Sequence, residues 1–171
     1  MKKKLFAILF AVFSVSVFAQ KVELRNGGME EWKNNAAMPV RWGAYYNDIE
    51  AGLYSQSKDA HSGKYALQID FEPQREHDNR RFFSFPVKLE EGKYSLTLYM
   101  KGRGEVRFVS FTKKDEAASS HTNDVNVVGT PKIEVINTLD FDIKEADIYQ
   151  LFICLNAADK LFIDDITLTK K

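Results

Sequence analysis

The 171-residue chain carries 24 basic and 24 acidic residues, and loss of Lys2–Lys4 with the N-terminal leader described below leaves 21 basic residues and a net charge of −3. A weakly acidic domain has no basic patch for nucleic acid or an anionic membrane, so neither is expected as a partner. The only cysteine, Cys154, excludes a disulfide within one chain and is expected to be a small buried hydrophobic residue.

The N-terminus has the pattern of a secretory signal peptide. Lys2–Lys4 precede an apolar run over Leu5–Phe13, and the small residue Ala19 ends the segment. The run is too short for a comfortable membrane span, and no cysteine follows it as in a bacterial lipoprotein. We predict cleavage after Ala19, export to the periplasm, the cell surface or the medium, and no membrane association afterwards. Residues 20–171 are then expected to form a single domain.

The rest of the chain reads as short strands between turns. Strand-like segments recur about every ten residues, and no apolar helical period runs for three turns, which predicts an all-β sandwich or barrel. The predicted strands are Gln20–Leu24, Arg41–Tyr46, Leu53–Ser57, Lys64–Phe71, Arg80–Leu89, Lys93–Lys101, Glu105–Thr112, Lys132–Leu139, Asp147–Leu155 and Lys160–Thr169.

Two connections between these strands have distinct patterns. Gly102-Arg103-Gly104 is a tight turn, so Lys93–Lys101 and Glu105–Thr112 are predicted to form a hairpin. The long polar segment Lys113–Pro131 is predicted to be a surface loop. Phe141–Asp147 is predicted to be a shorter loop, with room for one helical turn.

Alternation along the predicted hairpin assigns side chains to faces. Leu96, Leu98 and Met100 take the core face, which leaves Tyr99 pointing outward. On the following strand Val106 and Phe108 are expected inward and Arg107 outward, on the face that Val109 and Phe111 share.

The last predicted strand holds two adjacent carboxylates, Asp164 and Asp165, inside an apolar run. Such a pair costs desolvation and repulsion unless a cation or hydrogen-bond donors meet it. The strand is too apolar for a frayed tail, so it is expected to pair with an early segment. The two ends of the mature chain would then meet there.

Five segments occur in a distinctive order and spacing: Asn26–Glu30, Pro39–Trp42, His61–Leu67, Leu89–Lys101 and Phe162–Leu168. Together they resemble a galactose-binding-like jelly roll of the carbohydrate-binding-module family 4/9 type. The resemblance covers nearly all of residues 20–171, although Met29 stands where the family has Phe. It implies an all-β jelly-roll β-sandwich of two antiparallel sheets.

The resemblance also implies a structural calcium site. Its ligands would be Glu30 and Asp164 or Asp165, with backbone carbonyls near Gly28 and Lys64. Oxygen-only ligands suit a hard cation such as Ca²⁺. The alternative is that these carboxylates accept backbone N–H bonds where the two ends of the chain meet.

A shallow aromatic-lined face for a carbohydrate is the predicted ligand site. Sugars pack their C–H faces on aromatic rings and pair their hydroxyls with planar polar groups. Tyr99, Arg107 and Gln150 are expected to converge, whereas Trp42 is expected in the core. The full candidate set is Tyr45, Tyr46, Arg81, Tyr99, Arg107 and Gln150.

No motif supports catalysis. The sequence has no His-x-His, His-Glu-x-x-His or Gly-x-Ser-x-Gly pattern, and adjacent pairs such as Glu90-Glu91 point to opposite faces of a strand. We therefore predict a non-catalytic, secreted carbohydrate-binding module. The alternative is a protein-interaction or envelope-structural module with the same fold and no sugar ligand.

Overall fold

The computed structural model describes residues 19–71, 80–113, 125–128, 136–157 and 159–171. The predicted signal peptide therefore lies outside the described residues, apart from Ala19. Among the described residues, no helix is long and apolar enough to cross a membrane.

The described residues form twelve strands and one short helix. Their bounds are β1 (Gln20–Val22), β2 (Trp42–Ala44), α1 (Tyr46–Glu50), β3 (Tyr54–Ser57), β4 (Ala66–Ile69), β5 (Arg80–Ser84), β6 (Val87–Leu89), β7 (Gly92–Lys101), β8 (Gly104–Lys113), β9 (Val125–Val128), β10 (Ile136–Ile143), β11 (Asp147–Ala157) and β12 (Leu161–Lys170).

The strands form two antiparallel six-stranded sheets, which make up a jelly-roll sandwich. The first sheet has the order β10-β7-β12-β4-β3, with β1 also paired to β12. The second sheet has the order β2-β5-β11-β8-β9, with β6 also paired to β11. The predicted all-β jelly-roll sandwich of two antiparallel sheets is therefore confirmed.

The core lies between the inner faces of the two sheets. Leu96, Leu98 and Met100 of β7 are fully buried, as the alternation predicted, and Leu151 and Ile153 of β11 are buried in the same core. Full burial of one such side chain contributes about 1.5–3 kcal/mol. Because these residues are spaced by two along each strand, the intervening side chains point away from the core.

Residues 20–22 meet the end of the chain in the first sheet. Gln20 lies opposite Lys170, and Val22 lies opposite Leu168, in an antiparallel pair of β1 and β12. This pairing confirms the expectation that an early segment covers the last strand.

The predicted hairpin around Gly102 is wrong. β7 pairs with β10 and β12 in the first sheet, whereas β8 pairs with β11 and β9 in the second. A Cβ on Gly102 would lie 2.6 Å from the Lys160 carbonyl oxygen, and one on Gly104 would lie 2.3 Å from the Asn156 carbonyl oxygen. The two glycines therefore let the β7–β8 connection lie close to the end of β11 and to the segment that joins β11 to β12. Both connections cross from one sheet to the other.

The predicted face assignment on β8 holds for Val106, which is buried, whereas the side chains of Arg107 and Phe108 lie outside the described residues. Val106, Val109 and Phe111 are all buried in the core, although strict alternation would put Val106 on the opposite face from the other two. The pairing with β11 shifts by one residue between Cys154 and Leu155. A bulge of this kind adds one residue to β8 and so turns both parts of the strand toward the core.

Several predicted boundaries also move. Arg80–Leu89 forms two strands rather than one, and Pro86, which has no N–H donor, lies between them. β9 lies inside the segment predicted to be a loop, and β10 continues to Ile143 where a loop was predicted. The helix α1 follows β2 where the sequence predicted a strand up to Tyr46.

Candidate functional site

Two phenylalanine rings lie side by side on the outer side of the second sheet. Phe83 of β5 is opposite Phe152 of β11, and their ring centroids are 5.4 Å apart with a 45° angle between the ring planes. Their chain neighbours Phe82 and Ile153 are fully buried, so both rings point away from the core. Both side chains are half-buried, which leaves part of each ring accessible.

The Phe83 ring lies across the neighbouring strand at a glycine. Gly43 of β2 is opposite Phe83, and a Cβ on Gly43 would lie 2.5 Å from Cε2 and 2.9 Å from Cζ of that ring. Any larger residue at position 43 would displace the ring, since real Cβ atoms do not approach other heavy atoms so closely. Gly43 therefore sets the orientation of Phe83.

A guanidinium group lies next to these rings. Arg81 is opposite Cys154 in the β5–β11 pair, and its side chain hydrogen-bonds to the side chains of Tyr45 and Cys154. Burial lowers the pKa of Arg81, but these hydrogen bonds outweigh it, so the pKa lies above its usual value and the group stays charged. Cys154 is buried, as predicted, but on the outer side of the sheet rather than in the core cluster.

An amide and a phenol complete this surface. The Gln150 side-chain nitrogen donates to the carbonyl oxygen of Ser84 at 2.9 Å, which ties β11 to the end of β5. Tyr45 follows β2 in an extended conformation and is 47% exposed. We name this surface the aromatic face and define it by Tyr45, Arg81, Phe83, Gln150 and Phe152.

The structure brings together three of the six predicted ligand residues: Tyr45, Arg81 and Gln150. Arg107 belongs to β8 of the same sheet, but its side chain lies outside the described residues. Tyr46 begins α1, and its hydroxyl hydrogen-bonds to Glu50 of the same helix.

The predicted convergence of Tyr99 with Arg107 and Gln150 is wrong, because β7 lies in the first sheet and β8 and β11 lie in the second. Tyr99 does point away from the core, as predicted, since Leu98 and Met100 on either side are fully buried. The error comes from the assumed hairpin.

The outer side of Tyr99 is already covered. The His61 ring stacks on the Tyr99 ring, with centroids 3.7 Å apart and planes at 21°. His61 is held there by Asp165, whose Oδ2 lies 2.7 Å from Nδ1 of His61. A sugar could not occupy that ring face while the stack persists.

Sequence reasoning missed Phe83 and Phe152. A signal for them was present, because Leu151 and Ile153 occupy the inward positions of their strand and thereby leave Phe152 on the outer side. Phenylalanine residues were assumed to lie in the core because most of them do, and the alternation around Phe152 was therefore not used.

The predicted calcium residues surround one turn, which runs from His61 to Tyr65. The Asp164 carboxylate is fully buried and accepts the backbone N–H groups of His61 at 2.8 Å and Ser62 at 3.1 Å. Burial raises the pKa of Asp164 above its usual value, while these backbone hydrogen bonds act in the opposite direction.

Glu30 binds the other half of the same turn. Its Oε1 accepts the backbone N–H groups of Lys64 at 2.8 Å and Tyr65 at 3.0 Å. A Cβ on Gly63 would lie 2.2 Å from that oxygen, and the φ of Gly63 is +64°, so the turn requires glycine there. Glu30 and Asp164 therefore hold one turn between them.

These hydrogen bonds are the alternative to calcium that the sequence left open, in which the carboxylates accept backbone N–H groups. Asp165 also serves the turn, because its Oδ1 accepts the Ser62 hydroxyl at 2.9 Å, and Gly28 lies close to that carboxylate. Among the described residues, no group of three or more His, Cys, Asp or Glu side chains could hold a metal ion. Calcium at this turn stays a prediction.

No family model and no curated protein matches the sequence. Among solved structures, the chain is similar to TmCBM61 in complex with β-1,4-galactotriose, at 20% identity over 88% of this chain and 99% of that one, with a TM-score of 0.56. It is similar to the K3 adhesin domain of Lys-gingipain from Porphyromonas gingivalis, at 14% identity over 90% and 100%, with a TM-score of 0.56. The chain has the β-sandwich fold of these proteins.

A third similar structure contains a catalytic module as well. It is the CBM22-1-GH10 part of xylanase 10B from Clostridium thermocellum, complexed with xylohexaose. The identity is 14% over 77% of this chain and 26% of that one, with a TM-score of 0.51. These similarities establish the fold, and membership of family 4/9 stays a prediction.

Proposed function

We propose that this domain is a non-catalytic module that binds an oligosaccharide or polysaccharide through the aromatic face. The observation that carries the proposal is the outward pair Phe83 and Phe152 beside the charged Arg81. Rings pack on the C–H faces of sugars, and a guanidinium group and an amide can meet the hydroxyls. The calcium ion implied by the family resemblance would act only on the turn that Glu30 and Asp164 hold.

The shared fold supports the same class of ligand. TmCBM61 was solved with β-1,4-galactotriose, so this sandwich accommodates a short sugar chain in another protein. A fold does not determine a ligand, so the aromatic face has to be tested in this chain.

The binding should be weak. Sugar hydroxyls are well solvated, and each new hydrogen bond contributes only about 1 kcal/mol. We expect dissociation constants between about 1 μM and 1 mM, which correspond to about −8 to −4 kcal/mol.

The test is a glycan array followed by affinity electrophoresis in gels that contain soluble β-1,4-galactan, xylan or a soluble cellulose derivative. Tyr45→Ala should abolish retardation in the gel that retards the wild type, with little change in melting temperature because Tyr45 is 47% exposed. Tyr99→Ala is the matched control, since it removes a tyrosine from the opposite sheet. Retardation that survives Tyr45→Ala and Phe152→Ala would exclude the aromatic face.

We also propose that the module acts outside the cytoplasm. The basic, apolar and small-residue pattern of the first nineteen residues supports export. Polysaccharides of cell walls and of the surroundings are the ligands that an exported module would meet.

The second candidate function is binding of a protein partner. Phe85 lies between β5 and β6, and Ile148 lies in β11 of the second sheet; these large apolar side chains are 52% and 43% exposed. If the glycan array is silent, a pull-down with the mature domain should recover one defined polypeptide, and Ile148→Asp should prevent its recovery.

A further inference from the structure

A separate cleft of about 500 Å³ lies at one edge of the first sheet. Sites for small molecules usually have volumes of about 300–1,000 Å³. The cleft is lined by residues 30 and 32–35, by Gln56 of β3 and by Tyr65, which directly precedes β4. The aromatic face, in contrast, lies on the outer side of the second sheet.

The cleft exists because the sandwich is open at this edge. Gln56 of β3 is opposite Leu67 of β4, so both side chains point to the inner side of the first sheet. Leu67 and Tyr54 on that side are buried in the core, but Gln56 is exposed. A polar residue therefore occupies an inward position that the second sheet does not cover.

One aromatic wall of the cleft is held rigidly. The Trp32 indole N–H donates to the Met29 carbonyl oxygen at 2.5 Å, and the Trp32 backbone pairs with Pro39. The Asn26 side-chain nitrogen donates to the carbonyl oxygens of Glu31 at 3.0 Å and Val40 at 2.8 Å, so it joins both sides of this loop. A ring fixed before binding loses little conformational freedom when a ligand packs on it.

The second aromatic residue is Tyr65, whose backbone N–H is held by Glu30. Tyr65 is half-buried, and it lines the cleft together with Trp32 and Gln56. Most of the exposed lining of the cleft is polar, so it matches a ligand that presents mainly hydroxyls, with the edges of the two rings beside it.

The remaining lining is polar and balanced in charge. Asn34 and Asn35 contribute exposed amides, which can both donate and accept. Glu30 and Lys33 contribute one negative and one positive charge. A lining with one charge of each sign has no net charge and so favours a neutral ligand over an anion or a cation.

We infer that this cleft binds one neutral pyranose unit, either free or at the end of a chain, between Trp32, Tyr65 and Gln56. It is a second site, and it shares with the proposed function only the chemical class of its ligand. Extended chains bind the aromatic face, whereas the cleft accepts a single ring.

Tryptophan fluorescence tests this inference, because Trp32 and Trp42 are the only tryptophans and Trp42 is buried at 7% exposure. Titration of the mature domain with D-galactose, D-glucose, D-mannose and D-xylose should change the emission with at least one sugar. Gln56→Ala should weaken that response at least about ten-fold, equivalent to about 1.4 kcal/mol. Tyr45→Ala should leave it unchanged. If Gln56→Ala does not fold, Asn34→Ala takes its place.

Absence of any emission change with the four sugars would overturn the cleft site. So would an equal response from Gln56→Ala, or loss of the response in Tyr45→Ala, which would assign the signal to the aromatic face. A response that persists while gels show no polysaccharide binding would support the cleft and exclude the aromatic face. Gel retardation without a monosaccharide response would exclude the cleft and support the aromatic face.

Discussion

The carboxylate of Asp164 accepts a hydrogen bond from the backbone N–H of His61 at 2.8 Å, although the two residues are 103 positions apart. The same oxygen accepts the Ser62 N–H, and its other oxygen accepts the Asp165 N–H at 2.8 Å. A single buried carboxylate thus holds the last strand against the turn that precedes β4. Both carboxylate oxygens of Asp164 are acceptors, so the site requires a side chain with two acceptor oxygens.

Asp164→Asn should destabilise the domain by about 1–3 kcal/mol, because the amide places an N–H₂ group against a backbone N–H donor on one side. Urea unfolding at neutral pH measures the loss. Asp165→Asn is the matched control and should cost less than about 1 kcal/mol, since that carboxylate is partly exposed. Equal losses in the two variants would contradict the special role of Asp164.

Calcium should raise the melting temperature if the turn binds it. A ligand that prefers the folded state, at about 100-fold excess over its dissociation constant, adds about 2.7 kcal/mol. Glu30→Ala loses the two backbone hydrogen bonds and is less stable in any buffer, so the readout is the difference between calcium and chelator within each variant. That difference should vanish in Glu30→Ala. Identical melting of the wild type in both buffers would leave hydrogen bonding as the whole role of these carboxylates.

Tyr54 should make stability fall at alkaline pH. Its hydroxyl donates to the Arg81 carbonyl oxygen at 3.0 Å, and burial, followed by the nearby Asp48, raises its pKa well above the usual value. Below about pH 10 the phenol is neutral in both states, whereas above it the unfolded chain ionises first, so stability falls as pH rises. Tyr54→Phe should cost about 1 kcal/mol at neutral pH, from the lost hydrogen bond.

The gap in unfolding free energy between the wild type and Tyr54→Phe should narrow as pH rises above about 10. Comparison of the two proteins cancels the other tyrosines, such as Tyr94, whose pKa burial also raises. A constant gap across this range would show that Tyr54 ionises equally easily in both states.

Gly43→Ala should impair sugar binding more than stability. The new Cβ would lie 2.5 Å from Cε2 of Phe83, so the ring has to swing away from its position beside Phe152. We expect a loss of affinity of about ten-fold or more in affinity electrophoresis, equivalent to about 1.4 kcal/mol. Unchanged retardation with a folded variant would mean that the position of the Phe83 ring does not matter.

Export should produce a mature protein that begins at Gln20. That residue is the first of β1 and pairs with Lys170, so cleavage after Ala19 would leave the pairing strand intact. Intact-mass spectrometry of secreted material measures this terminus. Exported protein that still carries Lys2–Lys4 would contradict the predicted cleavage.

Local sequence pattern alone determined which side chains of several strands face the core. Alternation at Leu96, Leu98 and Met100 identified the core face of β7 and the outward direction of Tyr99, because a side-chain period of two is a property of the strand itself. The unusual pair Asp164 and Asp165 in an apolar strand predicted partners for the carboxylates. The apolar character of the last strand predicted that it pairs with an early segment.

Only the tertiary structure decided which strands are neighbours. The pattern around Gly102 suits a hairpin as well as it suits a crossing between two sheets. The pairing of β7 in one sheet and of β8 in the other decided between them. That choice separated Tyr99 from Gln150 and united Gln150 with Arg81 and Tyr45. Alternation states which face a side chain takes but not which strand lies beside it, since pairing depends on contacts between residues far apart in the chain.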